Sequence, residues 1–160
     1  MSLRRLFLKV IKPLLYDYIP IQGKLRVQVW NDKGELIEDY TKHNAVTALG
    51  DAHVADQMSA VPDNAAMSYM AIGTGTGGTT ALNTELARES CTSYNQGSGG
   101  DDNDVIYIAS FTGNTGTVKE AGVLNAAADG TLFVYNEALS QLVASGDTLQ
   151  ITWTVTFGAT

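Results

Sequence analysis

"LQITWTVTF", residues 149 to 157, alternates without a single exception. Leu149, Ile151, Trp153, Val155 and Phe157 fall on one side, and Gln150, Thr152, Thr154 and Thr156 on the other. A period of two is the signature of a β-strand with one face buried. One apolar and one polar face belong to an antiparallel sheet, since a parallel sheet wrapped by helices buries both. The same reading extends to "DVIYIASFT", 104 to 112, where Val105, Tyr107, Ala109 and Phe111 share a face, and to "GTLFVYN", 130 to 136, behind the turn Ala128-Asp129-Gly130. From residue 68 onward the chain therefore predicts a run of strands joined by Gly-, Asn- and Asp-rich turns. The expected fold is mainly β, an antiparallel β-sandwich of jelly-roll-like type.

Toward the N-terminus the pattern changes. "KLRVQVWNDKGELIEDY", 24 to 40, reads as a hairpin, with Leu25, Val27 and Val29 alternating against Arg26, Gln28 and Trp30, and with Gly34 in the turn where positive φ is wanted. "HNAVTALGDAHVADQMSA", 43 to 60, predicts one α-helix over about 44 to 59, with Asn44 as cap and Ala45, Leu49, Ala52 and Ala55 as its apolar stripe. Gly50 weakens that helix by about 1 kcal/mol relative to Ala. Residues 1 to 23 read as a basic amphipathic arm and 24 to 160 as the sandwich domain. In the arm Leu3, Leu6, Phe7, Val10 and Leu14 lie on one helical face, beside Arg4, Arg5, Lys9 and Lys12, and Pro13 keeps any helix short. Two roles lead for it: folding back on its own domain, or docking on a partner through Leu3, Arg4, Arg5, Leu6, Phe7, Lys9, Val10 and Lys12. Membrane binding ranks third and is not expected, because one broken short helix buries little apolar surface.

The bulk numbers bound the function. A chain of 160 residues, 44% apolar and 17% charged, suits one globular domain. Residues 1 to 50 hold eight Lys or Arg against five acids, whereas residues 51 to 160 hold only Arg88 and Lys119 against twelve acids. Such an acidic body repels phosphates, so no nucleic acid is expected as a partner. "RRLFLK", 4 to 9, mimics a twin-arginine export signal, but Lys9, Lys12, Pro13 and Asp17 interrupt the apolar stretch and export is not expected. No run of about 18 apolar residues exists to span a membrane.

"YMAIGTGTGGTT", 69 to 80, sets Gly73, Gly75 and Gly78 at G-x-G-x-x-G spacing. A dinucleotide turn also needs a βαβ unit whose helix faces the pyrophosphate, and strands surround this one. No cofactor is expected; the glycines are read as letting an extended loop turn sharply and pack close to a neighbouring backbone. The single cysteine, Cys91, reads as a small buried thiol, and with His43 and His53 it cannot close a zinc site. His53 is placed on the helix surface. "DDND", 101 to 104, lacks the spacing of a calcium loop. No catalytic constellation is found, so no enzyme is expected. Glu85, Arg88 and Glu120 stand out because charge is scarce here, and they are read as a structural clamp in which the guanidinium meets two carboxylates.

At these residues the chain resembles a recurring module of tailed-bacteriophage virion proteins. The module's pattern is an A-x-G-x-G-T loop, a T-x-L-x-x-E-x-x-R segment, an E-A-G-[LV] turn, a closing alternating strand and an upstream N-x-V-x-x-x-G helix. Here these are Ala71, Gly73, Gly75 and Thr76; Thr80, Leu82, Glu85 and Arg88; Glu120, Ala121, Gly122 and Val123; Leu149 to Phe157; and Asn44, Val46 and Gly50. The resemblance covers about residues 24 to 157. It implies a non-enzymatic structural protein of the virion: a capsid decoration or cement protein, or alternatively a tail-fibre or baseplate adaptor or carbohydrate-binding module of the tail. The length, with neither a repetitive shaft nor a variable tip, favours decoration. The implied partners are the major capsid protein and further copies of the chain, as dimer or trimer, and the implied location is the capsid surface of the virion, for a protein made in the host cytoplasm.

Overall fold

The computed structural model describes residues 20–91, 93–96 and 103–158. Ten strands make two antiparallel sheets of five. The first holds β1 (Ile21–Trp30), β2 (Leu36–His43), β6 (Ser93–Gln96), β7 (Asp104–Thr112) and β12 (Thr148–Phe157), in the order β2-β1-β12-β7-β6. The second holds β3 (Ala45–Val46), β4 (Tyr69–Gly73), β5 (Glu85–Ser90), β9 (Glu120–Leu124) and β10 (Leu132–Asn136), in the order β3-β10-β9-β4-β5. A short pair, β8 (Gly116–Val118) and β11 (Gln141–Val143), contributes Val118 and Val143 to the core. The antiparallel β-sandwich anticipated from residues 149 to 157 is what forms.

The alternating strands supply the inner face of the first sheet. Leu149, Ile151, Trp153 and Val155 on β12 are buried between Leu25, Val27 and Val29 on β1 and Tyr107, Ala109 and Phe111 on β7. Met70, Ile72, Ala121 and Val123 meet them from the second sheet. Each such side chain contributes about 1.5–3 kcal/mol by leaving water.

The second sheet breaks the alternation. Every residue of β9 and β10 is buried, because the middle of this sheet is covered on both faces, whereas edge strand β5 stays largely exposed. Outside it lies a separate cluster of Ala71, Leu82, Leu124, Leu132 and Tyr135. Leu82 belongs to the loop between β4 and β5, the loop that carries the glycines.

The helix, α1 (Ala48–Gln57), is shorter than expected and begins later. Thr47, not Asn44, is its cap: the Thr47 hydroxyl accepts the Gly50 N–H at 2.8 Å and donates to the Leu132 carbonyl. Asn44 instead accepts the indole N–H of Trp153 at 2.8 Å. The expected stripe is also corrected, since Leu49, Ala52 and Ala55 are exposed and the buried residues are Gly50 and His53. Gly50 is the cause. A Cβ there would sit 2.4 Å from the Phe133 carbonyl oxygen, so glycine lets α1 press onto β10.

Candidate functional site

The residues singled out by the sequence pattern meet on the outer face of the second sheet. The register explains how. Glu85, Gly73 and Glu120 lie side by side across β5, β4 and β9, and Arg88, Ala71, Gly122 and Tyr135 form a second row across β5, β4, β9 and β10. In that second row two long side chains flank two small residues. Leu82 seats over the gap: a Cβ on Gly122 would meet Leu132 Cδ1 at 2.5 Å and Leu82 Cδ1 at 3.2 Å.

Glu120 is the centre of the arrangement, and it is fully buried. Its Oε1 accepts the N–H of Gly75 at 3.1 Å and of Thr84 at 2.8 Å. Its Oε2 accepts the N–H of Asn83 at 3.0 Å and the Tyr135 hydroxyl at 3.2 Å. Tyr135 in turn accepts the N–H of Gly78 at 3.1 Å. Four donors fill the acceptor sites of one carboxylate. This group has no lone pair left to take a proton from a substrate or to hold a metal while the loop stays closed.

The glycine spacing is thereby explained. A Cβ on Gly73 would lie 2.5 Å from Glu120 Oε1, and one on Gly75 would lie 2.8 Å from both that oxygen and the Thr84 nitrogen. Two amides of this loop, those of Gly75 and Gly78, are engaged by Glu120 and Tyr135.

The clamp read from charge is divided. Arg88 Nε and Nη2 grip the Glu85 carboxylate at 2.9 and 2.6 Å, while Nη1 donates to the carbonyls of Ala126 and Asp129, each at 2.8 Å. That engages four of the five guanidinium N–H donors and pins the turn after β9. Glu120 takes no part in either ion pair formed among the described residues, which are Arg88–Glu85 and Arg26–Asp39. Charge counting paired Glu120 with a cation, whereas backbone amides hold it. Asn83 and Thr84 were missed because main-chain donors carry no sequence signal, and Tyr135, which donates its hydroxyl, because strand pairing alone brings it beside Glu120.

A second feature lies under α1. An apolar cleft of about 290 Å³ opens between the helix, the following loop and the edge of the sandwich, lined by Val54, Met58, Met67, Tyr107, Phe133 and Phe157 among others. His53 also lines it. Contrary to the surface position expected, His53 is only 4% exposed, and its Nδ1 has no hydrogen-bond partner. Burial lowers its pKa, offset in part by Asp56. Cys91 is half-buried, and desolvation pushes its thiol up to about 11. The thiol is therefore poorly suited to act as a nucleophile.

Among the described residues no group of three His, Cys, Asp or Glu is placed to hold a metal, and no helix is long and apolar enough to cross a membrane. Leu3, Arg4, Arg5, Leu6, Phe7, Lys9, Val10 and Lys12 lie outside the described residues. Comparison with family models, curated proteins and solved structures gives no match.

Proposed function

We propose that the protein is a non-enzymatic structural protein of a tailed-bacteriophage virion, a decoration or cement protein that binds at capsid subunit junctions as a homo-oligomer. One observation carries the reading: the separated segments of the virion-module pattern each serve one sandwich. Asn44 holds Trp153, Gly50 admits Phe133, Gly73 and Gly75 wrap Glu120, Leu82 covers Gly122, and Arg88 pins the turn after β9. A pattern with one physical cause is a better marker of a module than motifs scattered without contact.

The surface supports the same reading. Leu36 and Ile37 on edge strand β2 are 48% and 51% exposed, and Leu142 on β11 is 66% exposed. Ile37 and Leu142 border one shallow cleft between the two strands. Exposed apolar residues gathered at a sheet edge suit contact with another protein. A protein that binds only the assembled lattice stabilises it by mass action, and symmetry-repeated sites add avidity.

Quantitative mass spectrometry of purified particles tests the proposal. A copy number matching the capsid subunit junctions, with particles that lose heat resistance when the protein is omitted, is the expected result. A handful of copies would move the protein to the tail, as a fibre or baseplate adaptor or a carbohydrate-binding module. Absence from particles would reject both.

A further inference from the structure

The cleft under α1 is built to be covered. Met58, on its rim, and Val61, in the loop that follows, are each 80% exposed. Beneath them Met67, Tyr107 and Phe133 offer an apolar floor, and the Nδ1 of His53 stays without a partner. Apolar surface and an unsatisfied buried polar atom side by side are costly to leave open.

The start of β1 lies at the rim of this cleft. Ile21 is paired with Phe157, a lining residue, and the Pro20 carbonyl accepts the N–H of Gly158 at 2.8 Å. Nineteen residues precede Pro20. Among them Leu3, Leu6, Phe7 and Val10 share one face at helical spacing. The ten residues from Ile11 to Pro20 reach about 30 Å when extended, so this stripe can fold back over the cleft.

Charge agrees. Arg4, Arg5, Lys9 and Lys12 stand against the single acid Asp17 in residues 1 to 19. The elements around the cleft, residues 48–66 and 104–112, carry Asp51, Asp56, Asp63 and Asp104 and no Lys or Arg. A short tether also gives the chain's own segment a higher effective concentration than any free partner.

We infer that residues 3–10 of the same chain dock in the cleft, with Leu3, Leu6, Phe7 and Val10 covering Met58, Met67 and Phe133. Of the two roles open to the basic arm, this is the intramolecular one, and it stands independently of the virion reading.

The four methionines, Met1, Met58, Met67 and Met70, give a direct probe. Met58 and Met67 line the cleft, whereas Met70 is fully buried in the core. In methyl-labelled protein the double substitution Leu6→Asp and Phe7→Asp is expected to move the Met58 and Met67 signals and leave Met70 in place, which also reports an intact fold. Unmoved Met58 and Met67 signals would overturn the inference.

Labelled protein lacking residues 2–12 is then co-refolded with unlabelled full chain. Its cleft methionines are expected to keep their shifted positions. Their return toward wild type would show that the arm of a second copy occupies the cleft, and would overturn the intramolecular assignment. The experiment uses isolated protein, so its failure leaves the capsid test untouched.

Discussion

Replacing Glu120 by glutamine isolates the carboxylate lock. The substitution keeps size and shape but offers one oxygen in place of two. With the amide oxygen at the Oε1 position, the bonds from Gly75 and Thr84 survive, and the new NH₂ faces the N–H of Asn83. One main-chain donor is orphaned, at about 1–3 kcal/mol, and the surviving bonds fall from charge-assisted to neutral strength, at about 0.5–1 kcal/mol each. The expected loss is about 3 kcal/mol. For a domain of this size that lowers Tm by about 6–12 °C. The usual objection, that a buried charge is replaceable by an apolar group, does not apply, because the donors around it are backbone amides that remain after any substitution. Urea denaturation measures the loss, and amide hydrogen exchange locates it at Gly75, Asn83 and Thr84. A glutamine variant within about 0.5 kcal/mol of wild type, with those amides still protected, would refute the lock.

Three further outcomes follow from the same geometry. Gly75→Ala pushes a Cβ to 2.8 Å from Glu120 Oε1 and the Thr84 nitrogen, and calorimetry should show a loss of about 1–3 kcal/mol from overpacking. His53 titrates below its ordinary value because it is buried. The unfolded chain therefore takes up the proton first, and stability holds above about pH 6.5 and falls as the pH drops below it. In His53→Leu that part of the slope should vanish in urea midpoints measured between neutral and mildly acid pH. With Cys91 held up to about 11, its reaction with a disulfide reagent at pH 8 should run about 100-fold slower in native than in unfolded protein.

The parts of the fold that could be read in advance are those whose residues face one water side and one core side. On β12 the contrast between Trp153 and its threonine neighbours is written residue by residue, and the Asp129-Gly130 turn follows from two consecutive positive φ values, 52° and 81°. The middle strands of the second sheet gave no such contrast, because the loop bearing Leu82 buries their outer face as well. On α1 the apolar side chains misled. Contact was made by the residue with no side chain, Gly50, and by a histidine, so an apolar stripe pointed to the wrong face. At the lock, the importance of Glu120 was legible from the scarcity of charge around it: between residues 105 and 128 its neighbour Lys119 is the only other charged residue. Its three main-chain partners were not, since any residue but proline can supply an amide.

The place of β12 bears on how the protein is made. Thr148–Phe157 pairs with β1 on one side and β7 on the other, so the strand made after all the others of the first sheet is its middle one. Until those ten residues clear the ribosome, β1 with its hairpin partner and β7 with β6 are two separate ribbons with bare inner edges. A nascent chain stalled before Thr148 therefore has both outer ribbons of the first sheet without the strand that pairs them, so that sheet closes only after Thr148–Phe157 has been made.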